Sequence, residues 1–216
     1  MNYQYVLFDL DGTLTDPKIG ITKSVAYALK KMKDWTLDIN DLTKFIGPPL
    51  NESFTEFYGF TLAESNQAIE LFREYFKENG IYENEIYPGI KDLLMNLKQS
   101  GKVLAVATSK PTVFAEKIIQ YFKLEEYFEC VVGSNLDGTR TKKKDVIEAV
   151  FNELQINEKD AIMIGDREHD IFGAKAMSMH SIGVTYGYSI GDELSDAGAE
   201  YVVDSVSELK KLLLKE

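Results

Sequence analysis

Three short apolar runs, at residues 5–8, 103–107 and 161–164, each stop abruptly at a polar cluster. The first ends in Asp9-Leu10-Asp11-Gly12-Thr13-Leu14-Thr15. The second ends in Thr108-Ser109-Lys110-Pro111, and the third in Gly165-Asp166-Arg167-Glu168-His169-Asp170. Runs this short and this continuously apolar suit strands buried on both faces of a parallel sheet. Further strands are expected at 129–132, 181–184 and 201–203, and helices at 90–97, 112–122, 146–154, 171–177 and 207–214. Strands alternating with helices predict an α/β fold with a doubly wound parallel sheet. Ligands of such sheets bind beyond the carboxyl ends of the strands. Polar clusters far apart in sequence can therefore meet in space.

Between the first and second of these strands the period changes. Ile21, Val25, Leu29 and Met32 recur at helical spacing. Short helices are expected at 41–45 and 52–58, on either side of the break made by Gly47-Pro48-Pro49. Thr61-Leu62-Ala63-Glu64 is a capping box opening a helix that runs to Asn79-Gly80. The expected organisation is a core of residues 1–16 and 82–216 with an all-helical insertion at 17–81.

Charge narrows the partners. The net charge of −11 argues against nucleic acid and anionic membrane. A run of ~20 apolar residues would be needed to span a bilayer, and none is present, nor is a signal-peptide pattern at the N-terminus. With one cysteine, Cys130, no intrachain disulfide can form. A cytoplasmic monomer or homodimer is the expectation.

Asp9 and Asp11 stand at i and i+2, so an extended chain points both carboxylates the same way. Asp166 and Asp170 stand at i and i+4 and would share a helix face. Four such carboxylates repel unless a cation holds them, and Mg2+ is the hard, oxygen-seeking candidate. Thr108 and Ser109 offer hydroxyl and backbone donors to phosphate oxygens. Lys142, Lys143 and Lys144 crowd a helix N-terminus, where an anionic partner would offset their conflict with the helix dipole.

These motifs, in this order, resemble those of the haloacid dehalogenase-like (HAD) hydrolases. Residues 9–15 resemble the first motif, Thr108 the second, a lysine of 142–144 the third and residues 165–170 the fourth. The helical insertion resembles the small cap of the phosphoglycolate phosphatase and 5'-nucleotidase branch. The resemblance implies a Rossmann-like core and a Mg2+-dependent phosphatase acting on a small phosphate monoester, 2-phosphoglycolate or a nucleoside 5'-monophosphate. Asp9 would be the nucleophile that becomes an aspartyl-phosphate, and Asp11 the general acid and base. The metal would bind Asp9, Asp166 and, through its backbone carbonyl, Asp11. Thr108, Ser109 and a lysine would hold phosphoryl oxygens. Lys143 is favoured for its distance from the apolar face at Val146-Ile147, with Lys142 and Lys144 left open. Asp170 would orient metal-bound water or the lysine.

Two other readings share these motifs in whole or part. A phosphomutase of the beta-phosphoglucomutase type carries all four, and isomerisation faster than phosphate release would identify it. A non-enzymatic phosphorylation switch has a similar acidic pocket but needs no helical insertion. The segment 45–50 would face the site and help select the leaving group. Trp35, His169 and His180 are expected to be structural, Arg140 to be a surface arginine with substrate contact as the alternative, and Tyr186-Gly187-Tyr188 to line the rim.

Overall fold

A computed structural model describes residues 3–214. Its contacts divide the chain into a core, made of the described residues up to Asp16 and from Ile86 onward, and a helical unit, Pro17–Glu85.

In the core, six strands form one sheet: β1 (Tyr5–Phe8), β2 (Val103–Pro111), β3 (Phe128–Ser134), β4 (Ala161–Gly165), β5 (His180–Val184) and β6 (Tyr201–Val203). Their order is β3-β2-β1-β4-β5-β6, and each pairing is parallel. The chain leaves β1 to build one side of the sheet, then returns to build the other, so β1 and β4 flank the switch point where such sheets bind ligands. Val6, Leu7, Phe8, Val106, Ile162 and Ile164 are almost wholly buried, as strands covered on both faces require.

Register places the site. Phe8 stands opposite Val106 on β2 and Ile164 on β4, and the Asp9 amide donates to the Ile164 carbonyl at 2.8 Å. Asp9 and Asp166, just past the ends of β1 and β4, therefore lie at nearly the level of Thr108 in β2. The 103–111 strand is longer than expected. It continues past Ala107 to Pro111, which pairs with Ser134 after a register shift. Thr108, Ser109 and Lys110 are thus extended residues and not a loop.

The core helices are α4 (Ile90–Gln99), α5 (Thr112–Tyr121), α6 (Lys143–Leu154), α7 (Glu168–Ala176), α8 (Glu193–Ala197) and α9 (Val206–Leu214). Val146, Ile147 and Val150 of α6 pack with Leu7, Ala105, Met163 and Cys130. Burial pushes the Cys130 thiol up to about 12, the state of an inert core thiol. Helix α8 has no counterpart in the sequence reading, because five residues are too few for a periodic signal. His180 is tied to Glu200 beside the ring of Tyr3. Among the described residues no helix is long and apolar enough to cross a membrane.

The helical unit comprises α1 (Lys18–Lys33), a 3-10 turn (Ile39–Phe45), α2 (Leu50–Tyr58) and α3 (Leu62–Tyr75). Ile21, Val25, Leu29, Ala68 and Phe72 are buried. Phe45 meets Phe54 and Phe57 at ring separations of 4.9 and 5.3 Å, and Trp35 packs on Tyr58 at 5.6 Å. The last expected helix stops at Tyr75 and widens into a π turn, Phe76–Gly80. Residues 82–85, assigned to the core on sequence, go with this unit. The reason is local: the Glu83 carbonyl accepts from the Gly20 amide at 3.0 Å, and its carboxylate pairs with Lys23 at 2.6 Å.

The capping box is formed: the Thr61 hydroxyl accepts from the Glu64 amide, and the Glu64 carboxylate accepts from the Thr61 amide. Thr61→Ala removes one half of it. Urea unfolding should show a loss of about 1 kcal/mol, and an unchanged midpoint would mean that this helix end is held by other contacts.

Candidate active site

Asp9 follows β1, and its carboxylate is met by the Lys143 ammonium at 2.8 Å. Lys143 opens α6 and is buried there, whereas Lys142 and Lys144 are exposed. The ammonium also pairs with Asp170 at 2.7 Å and donates to the Ala107 carbonyl at 2.9 Å. Burial alone would lower the Lys143 pKa, but Asp170 and Asp9 outweigh it and hold the group above its ordinary value. The lysine is a fixed cation between two carboxylates.

Asp166 follows β4 and is fully buried. One oxygen accepts from the Tyr188 amide at 2.7 Å, and the Thr13 hydroxyl lies 3.4 Å from the other. Burial first, then the charges of Asp9 and Asp170, push its carboxyl well above the usual range. Asp170 sits in the first turn of α7 and accepts from the Arg167 amide at 3.2 Å. Burial raises it to about 6, against the opposing pull of Lys143. Helix α7 begins at Glu168, so Asp166 precedes it and the two carboxylates do not share a helix face. They meet because the chain turns between them.

Asp9, Asp166 and Asp170 bring carboxylate oxygens within 4.8 Å of one another, and all three residues are buried. Three hard oxygen donors at this spacing, two of them with raised pKa values, fit a divalent cation such as Mg2+ or Ca2+. The Asp11 carboxylate is outside this group and pairs with Lys110 at 2.6 Å. Burial raises the Asp11 pKa and the Lys110 charge opposes the rise.

Two glycines let the site close around Asp166. Gly12 has φ of +86°, and a Cβ there would fall 2.0 Å from an Asp166 oxygen. A Cβ on Gly187 would fall 2.2 Å from the Gly12 carbonyl. Backbone thus approaches Asp166 from both sides, which a side chain would prevent.

Thr108 is buried, and its hydroxyl accepts from the Lys110 amide at 3.3 Å. The Ser109 carbonyl accepts from the Ser134 hydroxyl at 2.8 Å, which binds β2 to β3. Tyr186 donates to the Thr13 carbonyl at 3.0 Å, and Tyr188 donates to Asp16. Arg140 turns back onto Gly133, Asn135 and Thr112, a structural role. The sequence reading missed Lys110. Its pairing with Asp11 joins residues far apart in the chain and left no local signal.

With the geometry in place, comparison with known proteins decides the family. The model of the haloacid dehalogenase-like hydrolases matches residues 6–184. The chain belongs to that family. It is an enzyme, a hydrolase. A 5'-nucleotidase of Pseudomonas aeruginosa is 41% identical over 99% of this chain and 96% of its own. The tyrosine-protein kinase PtkA of Mycobacterium tuberculosis is 34% identical over 97% and 72%. A phosphoglycolate phosphatase of Vibrio vulnificus is 29% identical over 97% and 95%. Among solved structures, a predicted phosphatase from Clostridium acetobutylicum superposes with a TM-score of 0.97 at 52% identity, covering 100% of both chains.

The buried lysine yields a direct stability test. Lys143→Met strands Asp9 and Asp170 without their countercharge and should cost about 3 kcal/mol in metal-free buffer. Lys142→Met and Lys144→Met, at exposed positions, should stay within about 0.5 kcal/mol of the parent. Equal urea midpoints for all three variants would contradict the assignment.

Proposed function

We propose that this hydrolase is a Mg2+-dependent phosphatase that cleaves a small phosphate monoester through an aspartyl-phosphate on Asp9. The observation that carries the reading is the buried ammonium of Lys143 held between Asp9 and Asp170 beside Asp166. A nucleophile for phosphate must be anionic, yet it must meet an anionic substrate. A fixed cation beside it reduces that conflict.

Asp9 attacks phosphorus and the leaving alcohol departs. Asp11, i+2 along the chain, gives that alcohol its proton and later takes one from the hydrolytic water. Lys143, Thr108 and Ser109 hold the phosphoryl oxygens. Asp9, Asp166 and the Asp11 backbone carbonyl would hold Mg2+, with Asp170 anchoring Lys143 at the edge of the same carboxylate cluster. Bound there, the ion would screen the carboxylate from the incoming phosphoryl charge. The site needs this local positive charge because the chain as a whole carries −11.

Nucleoside 5'-monophosphates and 2-phosphoglycolate are the substrates of choice, in keeping with the names borne by the relatives at 41% and 29% identity. The purified protein should release phosphate from p-nitrophenyl phosphate and from at least one of these esters with Mg2+. Activity should vanish with EDTA and return with added Mg2+. Asp9→Asn should abolish release, by on the order of 1,000-fold or more, while its circular dichroism stays native. Turnover retained in that variant would overturn the mechanism.

A further inference from the structure

Lys110 is absorbed neither by the fold nor by the four motifs. It lies in β2 two residues after Thr108, in the stretch where the pairing with β3 shifts register, and its ammonium meets Asp11 Oδ2 at 2.6 Å. Both side chains are buried, with relative exposures of 7% and 10%. The other oxygen, Asp11 Oδ1, is buried and has no hydrogen-bond partner among the described residues.

This division of one carboxylate is unusual. A buried carboxylate normally satisfies both oxygens, and leaving one unmet costs about 1–3 kcal/mol. Here the chain supplies an ion pair to one oxygen and leaves the other bare. Asp11 is also rotationally committed, because turning the carboxylate or the side chain would break a charge-assisted bond in a region from which water is largely excluded. At contact distance Lys143 pairs with Asp9 and Asp170 and Lys110 pairs with Asp11, although the charges of Lys143 and Asp9 also reach Asp11.

We infer that Lys110 is a positioning residue for proton transfer: it pins Asp11 Oδ2 so that Oδ1 alone faces the departing oxygen of the ester. The inference rests on the reading of Asp11 as acid and base. In the first step the bond from phosphorus to the leaving oxygen breaks as the bond from phosphorus to Asp9 forms. The proton on Asp11 Oδ1 passes to the leaving oxygen, which departs as a neutral alcohol. Asp11 is left as a carboxylate already paired with the Lys110 ammonium. In the second step Oδ1 takes a proton from the attacking water, the phosphorus–Asp9 bond breaks, and phosphate is released.

A residue that aims an acid matters most where the leaving group needs protonation. The test is kcat/KM for a series of phosphate esters with leaving groups from p-nitrophenol through phenol to simple alcohols, plotted against leaving-group pKa. The kcat/KM ratio reports the step in which the alcohol leaves. Because the slope compares substrates within one preparation, a reduced folded fraction cancels from it. Lys110→Met should steepen the slope, with a loss on the order of 10–100-fold for alkyl esters and less than about 3-fold for p-nitrophenyl phosphate. Lys110→Arg keeps the charge and the pairing and should restore most of the parental slope.

Asp11→Asn separates the two levels of the claim. A steeper slope in Asp11→Asn but not in Lys110→Met would overturn the positioning role and leave the acid role standing. No steepening in Asp11→Asn would overturn the acid role itself. A uniform loss across the series in Lys110→Met, unrelieved in Lys110→Arg, would identify Lys110 as a structural residue only.

Discussion

One buried lysine, Lys143, ties together the segments at the carboxyl ends of β1 and β4. Lys143 reaches from the first turn of α6 to Asp9 after β1, Asp170 in α7 and the Ala107 carbonyl on β2. Four separate segments thus depend on a single ammonium. Taking such a group out of water is costly, and the attraction of two carboxylates offsets that cost only when the geometry is close. Distances of 2.7 and 2.8 Å meet that condition. The space for the lysine is itself provided by α7, where a Cβ on Gly173 would lie 2.6 Å from the Lys143 stem.

The rest of the site follows from that anchor. With Asp9 and Asp170 fixed on the lysine, Asp166 is the carboxylate of the three with no lysine in contact, and burial with the charges of Asp9 and Asp170 pushes it well above its ordinary range. A divalent ion would relieve all three, so metal binding and local stability are coupled in this cluster. The backbone of Gly12 and Gly187 closes on Asp166 and fixes one of its oxygens through the adjacent Tyr188 amide. Meanwhile Lys110 of β2 and Asp11 form a second contact pair, within reach of the charges of Asp9 and Lys143.

Much of this was legible in the sequence, because the signals are local. Apolar runs stopping before Asp9 and Asp166 announce strand ends, and the parallel sheet brings those ends level with Thr108. The capping box at Thr61 and Glu64 is equally local and is present as expected. What sequence left open depends on contacts between distant segments. Lys142, Lys143 and Lys144 differ only in which way α6 turns them, a choice set by packing of Val146 and Ile147 against β1 and β2. The Lys110 pairing with Asp11 is a strand-end contact across 99 residues of chain (110 − 11), invisible to any window-based pattern. The extension of β2 through Pro111 escaped because proline and hydroxyl residues favour turns, yet pairing with Ser134 keeps this stretch extended.

The central claim is that Asp9 becomes covalently phosphorylated during turnover. Acid quenching of the enzyme with Mg2+ and substrate in the steady state, borohydride reduction and peptide mass analysis test it directly, since reduction converts an acyl phosphate of aspartate to homoserine. The account predicts homoserine at position 9, dependent on substrate and absent at Asp11, Asp166 and Asp170. Homoserine at another aspartate, or an unmodified position 9 while phosphate accumulates and breakdown of the intermediate limits the rate, would contradict it.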